Sequence, residues 1–130
     1  MAGHLTIERT GINGLYVIYP AVHKIGENLI IETYNNQEML KNGLDMSFVQ
    51  ENQSMNVKGV LRGLHVQKNF PQGKLIRVIS GAIYDVAVDT RINSLTYGAW
   101  YGVELSSDNR KQLYMQEGFA HGFYVISDIA

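Results

Sequence analysis

The residues best suited to chemistry lie in one apolar stretch punctuated by glycines, residues 59–67, which contains Arg62 and His65. A strand of this composition normally carries apolar and neutral polar side chains, so a guanidinium and an imidazole three positions apart need a packing role or a chemical one. An imidazole exchanges protons near neutral pH, and a guanidinium binds phosphates through paired hydrogen bonds. We interpret this stretch as the centre of a functional site.

The alternation of side chains along a strand sets a geometric condition on this site. It puts His65 on the face of Leu61 and Gly63, and Arg62 on the opposite face. The two side chains serve one pocket only if Gly63 introduces a bulge or a strong twist, or Arg62 serves a neighbouring element. The sequence leaves both possibilities open.

Three further candidates, Lys74, Asp85 and His121, lie on strands predicted later in the chain. His121 shares a strand face with Phe119 and Phe123, which predicts that its imidazole points inward. The structural alternative is a buried histidine bonded to a carboxylate such as Asp85.

The other candidates also have structural interpretations. His65 could be a satisfied core histidine, Arg62 and Lys74 could be solvated side chains with packed stems, and Asp85 and Asp89 could form exposed pairs at strand edges.

The elements that must position these residues are short strands. Residues 15–20 and 29–34 are β-rich runs separated by a turn at residues 26–28. The one predicted helix covers residues 38–41, with Asn36 as its cap and Gly43 as its left-handed stop.

From Ser47 onward the sequence predicts strand after strand, with glycines at the turns. Residues 74–80 and 82–89 are expected to form a tight hairpin around Gly81. Further strands are expected at residues 99–105 and 111–115.

About ten short strands with one short connecting helix predict an all-β fold, either an open sandwich or a cupin-like jelly-roll barrel. Closure is favoured because it hides strand edges, and the barrel interior is then the natural pocket. A chain of 130 residues is expected to form a single domain, residues 1–130.

Composition excludes several classes of function. A net charge of −1 is unsuited to a broad nucleic-acid surface, and the absence of cysteine excludes disulfides, thiolate metal ligands and a cysteine nucleophile. No run approaches the roughly 18 apolar residues of a membrane span, and residues 1–20 do not resemble a signal peptide. We therefore expect a cytoplasmic protein with neither a membrane nor a nucleic acid as partner.

Five motifs, in order, resemble those of the dTDP-4-dehydrorhamnose 3,5-epimerase family. They are FVQENQS at 48–54, GVLRGLH at 59–65, GKLIRV at 73–78, DVAVD at 85–89 and EGFAHGF at 117–123. The resemblance runs from about Thr10 to Ala130. It implies a cupin-like jelly roll without a cofactor or metal, usually a homodimer, that epimerises a dTDP-4-keto-6-deoxy sugar in the synthesis of dTDP-rhamnose or related deoxysugars.

The resemblance also implies roles for the site residues. Epimerisation beside a ketone removes a C–H proton, stabilises an enolate and returns a proton to the opposite face. His65 would be the general base, and Lys74 would lie near the C4 oxygen, where negative charge develops. His121, resting on Asp85 as a supporting residue, would shape the sugar site.

Four residues are implied in substrate binding by the same resemblance. Arg62 would bind the diphosphate, the amides of Gln50 and Asn52 would recognise thymidine, and Glu32 matches a binding carboxylate of the family.

The sequence departs from the family pattern at two places. The family carries an Asp-x-Arg-Gly turn whose arginine helps to hold the diphosphate, whereas residues 25–28 read Ile-Gly-Glu-Asn, with Lys24 as the nearby cation. The family also continues beyond the alanine matching Ala130 to a tyrosine acid and an aspartate that orients the base. We therefore expect the natural chain to continue, and this polypeptide to bind weakly and turn over slowly or not at all.

Three other functions are alternatives to the 3,5-epimerase. A metal-dependent cupin is disfavoured because such sites usually pair histidines at i and i+2, and the i+2 partner of His65 is Gln67. A 3-epimerase or a ketoisomerase would use the same enolate chemistry on a related dTDP-keto-sugar. A sugar-nucleotide-binding protein without activity is the third alternative.

Overall fold

The computed structural model describes residues 4–67, 69 and 73–130 of the chain. Within these residues the predicted pattern of ten short strands and one short helix is confirmed. The elements are β1 Thr6–Arg9, β2 Leu15–Tyr19, β3 Ala21–Ile25, β4 Asn28–Glu32, α1 Asn36–Lys41, β5 Leu61–His65, β6 Lys74–Ile76, β7 Ala82–Asp89, β8 Trp100–Ser106, β9 Gln112–Met115 and β10 Phe119–Val125.

The strands form two four-stranded antiparallel sheets and a separate hairpin. The first sheet has the order β1-β2-β9-β6, the second has the order β5-β10-β7-β8, and β3 pairs with β4 alone. The main core lies between the two larger sheets. It is built from inward-facing apolar side chains of both, including Leu15, Val17, Leu113, Met115, Ala87, Leu105 and Val125. The predicted all-β, cupin-like fold is confirmed, although the described strands hydrogen bond as two facing sheets and not as one closed ring.

A second core covers the outer face of the first sheet. Met39 of α1 packs with Leu44 and Met46 against Tyr16 and Ile18 of β2. The helix is therefore more than a connector. Because it is shorter than two turns, this packing must supply most of its stability.

The helix cap lies one residue earlier than the sequence suggested. Asn35, with extended backbone angles, accepts a hydrogen bond from the Glu38 amide through its side chain at 3.1 Å, so the prediction of Asn36 as cap is wrong. The predicted stop at Gly43 is confirmed by its φ of +80°.

The hairpin predicted around Gly81 is also wrong. β6 pairs with β9 in the first sheet, whereas β7 pairs with β8 and β10 in the second. Gly81 has a φ of +86°, and a β-carbon there would collide with the carbonyl of Ile129. The chain therefore crosses from one sheet to the other at this glycine.

The prediction of continuous strands from Ser47 fails for residues 47–56, which are irregular. Val57 forms only an isolated bridge with Ile129. None of the described helices is long and apolar enough to cross a membrane.

Candidate active site

The central strands of the second sheet bring His121 to Asp85. β10 pairs with β7 so that His121 lies opposite Ala87, and Nε2 of His121 is 2.7 Å from Oδ1 of Asp85. The Asp85 side chain is fully buried, and that of His121 is 11% exposed. The predicted inward imidazole is confirmed. The alternative of exposed strand-edge aspartates is wrong, because Asp85 and Asp89 are both buried.

Burial dominates the electrostatics of Asp85. It raises the pKa of this carboxyl above its ordinary value, and the neighbouring His121 and the charge of Lys74 oppose the rise only in part. The Oδ2 atom is buried and has no hydrogen-bond partner among the described residues.

Lys74 reaches this pair from the other sheet. It begins β6, where it lies opposite Met115, and it is half-buried. Met115 belongs to the main core, so Lys74 shares the inward face of the first sheet, and its charge lowers the pKa of Asp85 in part. The structure therefore brings Lys74, Asp85 and His121 together.

A bulge in β5 decides on which face Arg62 lies. His65 lies opposite His121 and Arg62 lies opposite Phe123, so three steps along β5 match two along β10. The bulge lies at Gly63, whose φ is +97°. Because residues 121 and 123 share one face of β10, the bulge puts Arg62 on the same face as His65, which resolves the ambiguity in the sequence.

Sequence reasoning missed one polar contact of Arg62. The Nε of Arg62 donates a hydrogen bond at 2.9 Å to the side-chain carbonyl of Asn56, a residue only 7% exposed. No pattern marked Asn56, because a lone asparagine in a polar segment normally indicates a loop.

Gln50 and Asn52 lie in the irregular segment before β5. Both are exposed, and the Nε2 of Gln50 donates to the Oδ1 of Asn52 at 3.4 Å. Gln50 also lines a cavity of about 700 Å³ together with Phe48, Tyr114 and Gly73. The residues that line this cavity do not include Arg62, His65, Lys74, Asp85 or His121.

Glu32 is not brought to the other candidates. It ends β4 in the separate hairpin, and its Oε1 accepts a hydrogen bond at 3.2 Å from the Nδ2 of Asn35. Within the described part of the chain, this hairpin has no strand pairing with either larger sheet.

Among the described residues, no three histidine, aspartate or glutamate side chains are close enough together to hold a metal ion.

Two facing sheets, with an imidazole–carboxylate pair and a lysine on their inward faces, define a cupin-like β protein. A family model described as dTDP-4-dehydrorhamnose 3,5-epimerase matches residues 9–130. The chain belongs to this family.

Individual relatives agree with this assignment. Over 120 residues the chain is 52% identical to dTDP-4-dehydrorhamnose 3,5-epimerase of Methanothermobacter thermautotrophicus, covering 92% of this chain and 65% of the relative. The Escherichia coli enzyme of the same name is 45% identical over 129 residues, covering 97% and 69%. The chain thus spans about two thirds of the length of these relatives.

A solved structure is equally similar. The dTDP-6-deoxy-D-glucose-3,5-epimerase of Legionella pneumophila, in complex with dTDP-4-keto-L-rhamnose, superimposes with a TM-score of 0.91 at 42% identity. The match covers 97% of this chain and 68% of that one.

Proposed function

We propose that this protein epimerises C3 and C5 of a dTDP-4-keto-6-deoxy sugar, in the synthesis of dTDP-rhamnose or a related deoxysugar. The observation that carries the proposal is the arrangement of four groups: His65 opposite His121 on neighbouring strands, Asp85 beside His121, and Lys74 on the inward face of the other sheet. Family membership supports the substrate class, as does the similarity to a structure in complex with dTDP-4-keto-L-rhamnose.

Each group has a step in this chemistry. His65 removes the proton from the carbon beside the ketone, Lys74 stabilises the charge that develops on the C4 oxygen, and a proton from solvent adds to the opposite face of the enolate. His121, held by Asp85, binds and shapes the sugar. The position of Lys74 between the sheets favours this role, because a cation away from bulk water stabilises a developing anion more strongly.

The nucleotide half of the substrate needs other residues. Arg62 is assigned to the diphosphate, since the bulge at Gly63 directs it to the face of His65. Gln50 and Asn52 are assigned to the thymidine, and the aromatic ring of Phe48, which lines the same cavity as Gln50, supports this assignment. Glu32 is proposed to bind substrate on family resemblance alone.

Proton exchange with solvent tests the proposal directly. Incubated in D₂O with dTDP-4-keto-6-deoxyglucose, the protein should introduce deuterium slowly at C3 and C5, as read by NMR or mass spectrometry. His65→Ala should slow this incorporation by about 100-fold or more, the lower range for a general base. His4→Ala, which removes an exposed histidine far along the sequence from every motif, is the matched control. Incorporation that persists unchanged in His65→Ala would contradict the assignment, and deuterium at C3 alone would indicate a 3-epimerase.

Binding without turnover is the second candidate function. His65 lies exposed on the edge strand β5, and the three ion pairs among the described residues do not include it. An imidazole without a carboxylate partner forms a less stable imidazolium. Thermal stabilisation by dTDP with no deuterium incorporation would favour this candidate.

A homodimer is the proposed assembly. The β3–β4 hairpin exposes Ile25 and Ile30 at 67% and 62%, and a lone two-stranded hairpin is marginally stable in water. A second copy packed on these side chains would stabilise it, and sedimentation equilibrium should then give twice the chain mass. The cytoplasmic location stays a prediction.

A further inference from the structure

Asn56 is a buried polar residue outside the family motifs described above. Its backbone is fixed by two hydrogen bonds with Ala130, at 2.7 and 3.0 Å, and its Nδ2 donates to the hydroxyl of Ser54 at 3.2 Å. Its Oδ1 accepts the hydrogen bond from the Nε of Arg62 at 2.9 Å. The amide is thus held from both sides, so its carbonyl oxygen is presented to Arg62 in a fixed position.

We propose that Asn56 is a positioning residue that aims the Arg62 guanidinium at the diphosphate of the substrate. The inference rests on the proposed function, in which Arg62 binds that diphosphate. Anchoring Nε leaves both terminal NH₂ groups of the guanidinium for the ligand, and neither has a hydrogen-bond partner among the described residues. Two such groups match the oxygens of a phosphate through parallel hydrogen bonds.

Asn56 is uncharged, and this is as important for binding an anion through Arg62 as the position of its side chain. Arg91, by contrast, donates from Nε and Nη2 to the carboxylate of Asp89, which compensates its charge. Arg62 forms no ion pair within the described ranges and is held instead by an uncharged acceptor. It therefore keeps its full positive charge for an anionic ligand.

Anchoring also reduces the entropic cost of binding. Arg62 is exposed, and a free arginine side chain samples many rotamers that it must lose when it binds a ligand. A single hydrogen bond to a rigid acceptor restricts those rotamers before the ligand arrives. The acceptor is rigid because residues 56–60 are hydrogen bonded to the end of β10 and the segment after it, through pairs such as Lys58 with Asp128 and Gly59 with Val125.

The affinity for dTDP, measured by isothermal titration calorimetry, tests the proposal. Asn56→Ala should weaken dTDP binding about five- to tenfold, since it removes one charge-assisted hydrogen bond that orients the arginine. Asn56→Asp keeps the shape but adds a charge that pairs with Arg62, and it should weaken binding at least as much at pH 7. In an Arg62→Ala background, both substitutions at Asn56 should have little further effect, because coupled residues are non-additive.

Asn109→Ala is the matched control. Asn109 also accepts backbone hydrogen bonds through its side chain, but in the turn between β8 and β9, so its loss should leave dTDP affinity unchanged. Wild-type affinity in Asn56→Ala would overturn the inference, as would an equal loss in the Arg62→Ala background, which would mean that Asn56 acts through the fold. Absence of dTDP binding by the wild-type protein would instead overturn the proposed function, and the inference with it.

Discussion

Asp85 and Asp89 lie four residues apart on the same face of β7, and neither side chain is exposed to solvent. Asp89 accepts hydrogen bonds from Arg91 at 2.9 Å and from the hydroxyls of Ser94 and Thr96 at 2.5 and 2.6 Å. These donors, Arg91 first, hold the pKa of Asp89 well below its ordinary value. Asp85 has His121 as its neighbour and an unpartnered Oδ2, and burial raises its pKa.

Both carboxyl groups are buried, so the difference between their pKa shifts follows from their donors: those around Asp89 outweigh the effect of burial, whereas at Asp85 burial prevails. Asp89 is an ionised structural residue. Its partner Arg91 also donates to the carbonyl of Asn13 at 2.6 Å, and its guanidinium lies 4.7 Å from the ring of Phe119, so the cluster ties the loop after β7 to the segment before β2. Asp85 lacks such support, and it lies where Lys74 and His121 converge. Its environment suits a site that exchanges protons.

The largest expected effect comes from removing the charge of Asp89. Asp89→Asn should lower the free energy of unfolding by about 3 kcal/mol, because it leaves the partly buried Arg91 without its counterion. Urea denaturation followed by circular dichroism would measure the loss. Asp108→Asn, in the exposed turn after β8, is the control and should change stability by less than about 0.5 kcal/mol. If the Asp89→Asn protein were as stable as the wild type, Asp89 would not have the structural role assigned to it.

Asp85→Asn should have the opposite profile. The free energy of unfolding should change by less than about 1 kcal/mol, since the native state already disfavours the charged form of Asp85. Deuterium incorporation at C3 and C5 should fall about 30-fold, roughly 2 kcal/mol, because His121 loses the carboxyl group that orients its imidazole. Both quantities would be measured on the same preparation. If Asp85→Asn were destabilised as much as Asp89→Asn and its deuterium incorporation were unchanged, Asp85 would be a structural residue and not a residue of the active site.

Part of this arrangement could be predicted from the sequence. Alternation along β7 and β10 places Asp85, Asp89 and His121 on inward faces because a strand has a fixed period of two. The contact between Asp85 and His121 could only be listed as one possibility, since it depends on the register between two strands. The face on which Arg62 lies could not be predicted. A bulge shifts the alternation of side chains by one residue, and a glycine such as Gly63 allows a bulge without requiring one.

Other features depended on contacts between residues far apart in sequence. The cluster around Asp89 needs donors from the loop that follows β7, and no short pattern predicts that a loop arginine folds back onto the preceding strand. The hairpin predicted at Gly81 was wrong for a similar reason. A glycine between two β-rich runs is compatible with a tight turn or with a passage between sheets, and the packing against Ile129 decides between them.

The smallest expected effect is the dependence of stability on pH, and it is the effect that best distinguishes Asp85 from Asp89. The pKa of Asp89 is lower in the folded than in the unfolded state, where its ordinary value is 3.8, so its contribution is complete above that value and is lost as pH falls below it. The pKa of Asp85 is raised on folding, so its contribution is complete below 3.8 and is lost as pH rises through the folded-state value. The contributions of the two aspartates to stability therefore change in opposite directions as the pH rises.

Urea denaturation between pH 3 and pH 7 should separate these contributions. The stability difference between wild type and Asp89→Asn should narrow below about pH 4, by at most about 1.4 kcal/mol per pH unit, the limit for one proton. Relative to wild type, Asp85→Asn should gain stability as pH rises above about 4, because the variant no longer buries a group that resists ionisation. Parallel curves for all three proteins would mean that the two carboxyl groups share one protonation behaviour, and that their different neighbours do not distinguish a structural aspartate from one in the active site.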